Sequence, residues 1–198
     1  MRKSLAILVV TVTLACAHQR TPAAFSDHHA SDLEVYQAVL DSMFTPRAQS
    51  RVSRIAIEDS TEVFKPENAP GLIQMLVKDG GADTTAARDL ASRSHVRRSL
   101  RGLAALRLRM PVLLLNRGAL SGLPREDPDK YWDEFYRRFP GTQGLTSLSA
   151  IGYSGDGNRA VLMVDTGCGG LCGMGFIVVV NRERGQWHVV NFKGTWVS

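Results

Sequence analysis

The chain has 198 residues, 22% of them charged and 44% hydrophobic, with eighteen glycines, eight prolines and three cysteines. These proportions exclude a wholly disordered chain, a collagen-like repeat and a polytopic membrane protein, and the length suits one domain. The formal net charge of +5 falls to +3 once Arg2 and Lys3 are set aside, and arginine far outnumbers lysine.

Residues 1–16, MRKSLAILVVTVTLAC, begin with Arg2 and Lys3 and continue into an uncharged, mostly apolar run from Leu5 to Leu14. About twenty residues are needed to cross a bilayer as a helix, so the run is too short for that. A positive start, a short apolar core and small residues at its end describe a secretory signal. Thr13-Leu14-Ala15-Cys16 further resembles a bacterial lipobox, in which the cysteine is lipidated and becomes the new N-terminus. The expectation is a signal peptide over 1–15 and a lipid on Cys16, with a cleaved signal and an incidental cysteine as the alternative. Several acyl chains hold a protein firmly where one binds only marginally. Ala17 follows the cysteine, where an aspartate would suggest inner-membrane retention, so an outer-membrane destination is favoured in a cell with two membranes. Residues 16–30 read as a lipidated tether, in which His28-His29 is a solvated pair rather than a metal site.

From residue 31 to 198 the sequence reads as one α+β domain. Ser31-Asp32-Leu33-Glu34 has the form of a capping box, and Leu33, Tyr36, Val39, Leu40, Met43 and Phe44 follow at helical spacing, which predicts a helix over about 32–44. Val52, Ile55 and Ile57 predict a strand between Arg51 and Asp59. Residues 65–83 contain Pro66, Pro70, Gly71, Gly80 and Gly81, and read as irregular with one short helical turn. Thr84 or Thr85 caps a second predicted helix to about Arg93, with Ala86, Ala87 and Leu90 inward. Pro111 then opens Val112–Leu115, a continuous apolar run of the kind found in buried strands. The densest basic cluster is Arg88, Arg93, Arg97, Arg98, Arg101, Arg107, Arg109 and Arg117. It reads as a solvated face, with anionic headgroups or an acidic envelope partner as the alternatives. Export leaves no nucleic-acid partner for it.

Tyr131, Trp132, Phe135, Tyr136 and Phe139 place an aromatic helix before Pro140-Gly141. Such a group anchors a helix to a sheet or lines a cleft, so Tyr131, Trp132 and Tyr136 are candidate packing or pocket residues. The last fifty residues read as an antiparallel meander: Leu148–Tyr153, Ala160–Val164, Phe176–Val180 and Trp187–Phe192, joined at Ser154–Asn158 and Arg182–Gly185 by turn sequences. Trp196 is expected to tie the last segment to the core. The predicted fold is therefore an antiparallel C-terminal meander, extended by one or two further strands, with an N-terminal helix and a short aromatic helix packed on it.

Cys168-Gly169-Gly170-Leu171-Cys172 is the most distinctive local motif. With Cys16 lipidated, the other two thiols form an even pair in an oxidising envelope, and five glycines from Gly167 to Gly175 free the backbone to bring them together. A structural disulfide is expected, with free buried thiols and redox or metal chemistry as alternatives. A redox pair more typically stands as C-x-x-C at a helix start. The loop lacks the Lys-Ser/Thr and helix of a phosphate-binding loop, and Gly152–Asp156 misses the nucleophile-elbow spacing. The sequence shows no catalytic triad, paired-carboxylate site, metal set or cofactor fingerprint.

On several of these segments the chain resembles a family of exported bacterial proteins to which no activity is assigned. The likeness lies in Val35–Leu40, Ile55–Thr61, Trp132–Tyr136, Phe139-Pro140 and Leu148–Tyr153. It is clearest at Cys168-Gly169-Gly170-Leu171-Cys172-Gly173, Gly185-Gln186-Trp187 and Trp196-Val197-Ser198. The resemblance implies one extracytoplasmic α+β domain in which the aromatic helix and cysteine loop are common scaffold, and it brings no catalytic residue. The leading expectation is a non-catalytic, lipid-anchored envelope protein with a binding or structural role, contacting an envelope partner. The rival is an envelope enzyme or small-ligand carrier with a pocket between the aromatic helix and the sheet.

Overall fold

The computed structural model describes residues 29–46 and 50–198; Cys16, the signal-like run and the tether up to residue 28 lie outside the described residues. Helix α1 spans His29–Met43 and buries Val35, Tyr36, Val39 and Leu40. It starts two residues before the predicted cap, so Ser31 lies inside its first turn. Asp32 faces inward instead, because its carboxylate accepts hydrogen bonds from Arg93 at 2.7 Å and from the Tyr153 hydroxyl at 2.8 Å.

Strand β1 (Arg54–Glu58) is shorter than predicted. Residues 65–83, expected to be irregular, contain a 3-10 turn at Pro66–Asn68 and the ten-residue helix α2 (Ala69–Lys78). Pro70 sits in its first turn, where a missing N–H costs nothing. Helix α3 (Thr84–Arg93) is capped by Asp83 rather than by a threonine: the Asp83 carboxylate accepts from the Thr85 and Ala86 amides. After a 3-10 turn at Arg101–Ala105 come β2 (Val112–Leu115) and α4 (Pro128–Arg138). Then follow β3 (Thr142–Leu148), β4 (Gly152–Tyr153), β5 (Arg159–Gly169), β6 (Cys172–Glu183) and β7 (Gln186–Val197).

The fold is α+β. Its seven strands form one sheet in the order β2-β1-β3-β5-β6-β7, with β4 pairing β5 beyond the end of β3. The C-terminal meander is antiparallel, and the added strands β1 and β2 run parallel to their neighbours. β2 lies at the edge of the sheet and buries only Leu115 fully, where the apolar run predicted a buried strand.

Alternation along β5 and β6 feeds both faces of the sheet. Leu162, Val164, Val178 and Val180 meet α1 on one face, together with Ile55, Ile57 and Trp187. Val161, Met163, Ile177 and Val179 meet α2 and α3 on the other. On that second face, over β1, β2 and β3, α4 encloses Phe135 with Ala56, Leu115, Leu120 and Leu123.

The segment 148–153, predicted as one strand, is broken by a bulge. Leu148 pairs with Val164 and Gly152 with Val161, so three residues on one side oppose two on the other. Ser149 repairs the ladder: its N–H donates to the Met163 carbonyl at 3.0 Å, and its hydroxyl oxygen accepts from the Met163 amide at 2.8 Å. Carbonyls of the bulge are taken by helical side chains. Tyr36 donates to Ser149 O at 2.8 Å and Arg93 to Ile151 O at 2.6 Å. Arg93, counted in the sequence among the surface arginines, is buried at 8% exposure. The other seven arginines of that cluster are exposed, but they are dispersed, with Arg88 on α3 and Arg101 at the 3-10 turn across the sheet.

Candidate functional site

Helix α4 opens at Asp127, whose carboxylate accepts from the Lys130 amide at 3.1 Å, with Pro128 in the first turn. Its apolar face carries the predicted aromatics. Phe135 is fully buried, whereas Tyr131, Trp132 and Tyr136 are half-buried. Their rings engage one another, with Trp132 edge-on to both Tyr131 and Phe135 at 5.2 Å and 5.8 Å from Tyr136.

The cysteine loop packs against this helix. Cys168 and Cys172 are joined as a disulfide across the end of the β5–β6 hairpin. Tyr136 donates its hydroxyl to the Cys168 carbonyl at 2.9 Å, and the Trp132 indole lies over Gly167, where a Cβ would approach it to 3.0 Å. The three candidate aromatics and the loop are therefore brought together. Burial pushes the Tyr131 and Tyr136 phenols up, so both remain neutral donors.

Beside α4 the second face of the sheet carries a polar row absent from the sequence reading. Ser147, Asp165, Gly175 and Trp196 are consecutive cross-strand partners on β3, β5, β6 and β7. Gly175 makes room for the Trp196 indole, whose N–H crosses β6 and donates to Asp165 at 2.6 Å. Trp196 thus ties the last strand to the sheet surface while remaining 44% exposed, rather than entering the core. The Ser147 hydroxyl donates to Glu62 at 2.7 Å. Glu58 and Asp165 are both pushed above the ordinary carboxylate range. For Glu58 the causes are burial, then the Glu62 charge; for Asp165 burial leads, the Trp196 bond opposes it and Glu62 adds to it. Chemically, this row offers acceptors and negative charge beside aromatic edges.

A separate groove of about 790 Å³ lies between α1 and the start of β7, with Glu34, Gln37, Asp41, Arg109 and His188 in its walls. Among the described residues no cluster of three or more metal-ligating side chains occurs, and no helix is long and apolar enough to cross a membrane.

The architecture defines a class only: an α+β domain with one mixed sheet between helices. Compared with protein-family models, curated proteins and solved structures, the chain matches none.

Proposed function

We propose that the protein is a lipid-anchored component of the bacterial cell envelope, held to the membrane through Cys16, with a domain that serves a binding or structural role. The observation that carries this reading is the use of its three cysteines. Cys168 and Cys172 are bonded to each other, which suits an oxidising compartment and leaves Cys16 as the one cysteine outside the bridge, at the end of a signal-like run. Ala17 favours the outer membrane. The likeness to exported bacterial proteins supports the same setting.

The test is metabolic labelling with an alkyne fatty acid in a bacterial host, followed by membrane fractionation. Wild type takes up label and sediments with membranes, and Cys16→Ser does neither. An unlabelled wild type, or a variant that labels equally, overturns the proposal.

A second reading, a small-ligand carrier or enzyme between the aromatic helix and the sheet, is favoured by two carboxylates that burial raises, Glu58 near Tyr131 and Asp165 bonded to Trp196. Trp196 belongs to that row and Trp132 lies over Gly167, two residues along β5 from Asp165, so a cation such as spermidine bound there changes the tryptophan fluorescence. A saturable change lost in Asp165→Asn supports this reading, and a flat titration removes it.

A further inference from the structure

Strand β7 ends the sheet. It is 12 residues long, about twice the usual strand, and pairs along one side with β6. Its outer side presents backbone groups to solvent. Natural edges are blunted by shortness, proline, repeated charge or bulges. β7 is neither short nor broken by proline, and its two bulges spare the stretch between them: Lys193 is its single Lys, Arg, Asp or Glu, and Val190, Phe192 and Val197 are 50%, 40% and 82% exposed. Register shifts at Val190 and Thr195 leave a regular stretch from Asn191 to Gly194 between them.

We propose that this stretch is a self-association edge, on which a second copy of the chain adds antiparallel across a two-fold axis at Phe192 and joins the two sheets into one. Two-fold pairing normal to a sheet keeps each face with itself, so a residue can oppose only itself or one an even number of steps away. Centred on Lys193, the pairing would set lysine against lysine. Centred on Phe192, it sets Phe192 against its own copy and Asn191 against Lys193, with no like charges opposed. Phe176 already stands edge-on to Phe192 at 6.3 Å, so the two copies would form a row of four rings on one face. The partner is a second copy because the strand is compatible with itself in charge and register.

The test uses the full chain carrying Cys16→Ser, in detergent. Phe192→Cys should cross-link to a covalent dimer under mild oxidation on the order of tenfold faster than Val63→Cys, a site of similar exposure (42%) on a loop. Sedimentation of the parent should show a dimer whose unfolding midpoint rises with protein concentration, and Phe192→Lys a monomer that still unfolds cooperatively at a midpoint independent of concentration. A parent that stays monomeric through the micromolar range, equal cross-linking at the two sites, or a Phe192→Lys dimer overturns the proposal. The cross-linking comparison stands even where the lysine variant fails to fold.

Discussion

Arg93 joins α1, α3 and the bulge between β3 and β4 through one guanidinium. Its side chain is 7% exposed and that of its partner Asp32 is 14% exposed. Burial works against its charge, but Asp32 at 2.7 Å, with Asp89 and Tyr153 adding to it, holds the Arg93 pKa above its ordinary value. Removing one member strands the other, so Arg93→Met is expected to cost about 3–5 kcal/mol. Chemical denaturation of Arg93→Met, Asp32→Asn and the double variant checks this. The double variant should lose less than the two singles together, and strict additivity would show that the pair is not coupled. Asp165 behaves in the opposite sense. Its folded-state pKa lies above the unfolded value, so the native state holds the proton more tightly and stability falls as pH rises from the ordinary carboxylate range through the raised value. Asp165→Asn keeps an acceptor for Trp196 and removes that ionisation. Its unfolding midpoint should exceed wild type at pH 7, with the gap closing under acid conditions where the wild-type carboxyl is itself protonated. A gap that widens on acidification would contradict the assignment.

The elements seat on each other through small residues at a few positions. α3 lies directly on β4, where a Cβ at Gly152 would stand 2.1 Å from the Ala86 carbonyl and 2.3 Å from the Leu90 amide. Both are backbone atoms and cannot rotate aside, so Gly152→Ala must lift α3 off the sheet. The expected cost is at least about 3 kcal/mol, at the upper end of single-residue effects, and thermal unfolding measures it. A loss under about 1 kcal/mol would mean that the helix slides freely on its seat. This contact also explains which elements were legible in the sequence. α1, α3 and α4 announce themselves by apolar spacing because each covers one face of the sheet. α2 was hidden by Pro66, Pro70 and Gly71, which serve its entry rather than break it. The bulge was invisible because apolar residues continue through Ala150 and Ile151, both buried. The aromatic helix and cysteine loop are local runs and could be read directly. The row Ser147–Asp165–Gly175–Trp196 is assembled by register across four strands, and the one local hint was an aspartate following five apolar residues in β5.

For the whole molecule, the disulfide and the three cores divide the work of stability unequally. The bridge closes a loop between residues only four apart. A loop that small removes little entropy from the unfolded chain, about 2 kcal/mol. The sheet is meanwhile held by α1 on one face and by α2, α3 and α4 on the other, and none of these cores contains either cysteine. The reduced protein should therefore stay folded and unfold cooperatively, with a midpoint lower by about 4–8 °C. The change should be concentrated where the bridge touches the rest of the molecule, at the Tyr136 hydroxyl on the Cys168 carbonyl and at Trp132 over Gly167. Calorimetry of Cys168→Ser/Cys172→Ser, with Trp132 fluorescence read in a background lacking Trp187 and Trp196, separates the global effect from the local one. A midpoint drop of that size with altered Trp132 emission fits a bridge that shapes its loop on a self-sufficient core. Loss of cooperative unfolding would instead make the bridge a condition of the fold, and would tie the protein's stability to the redox state of its surroundings.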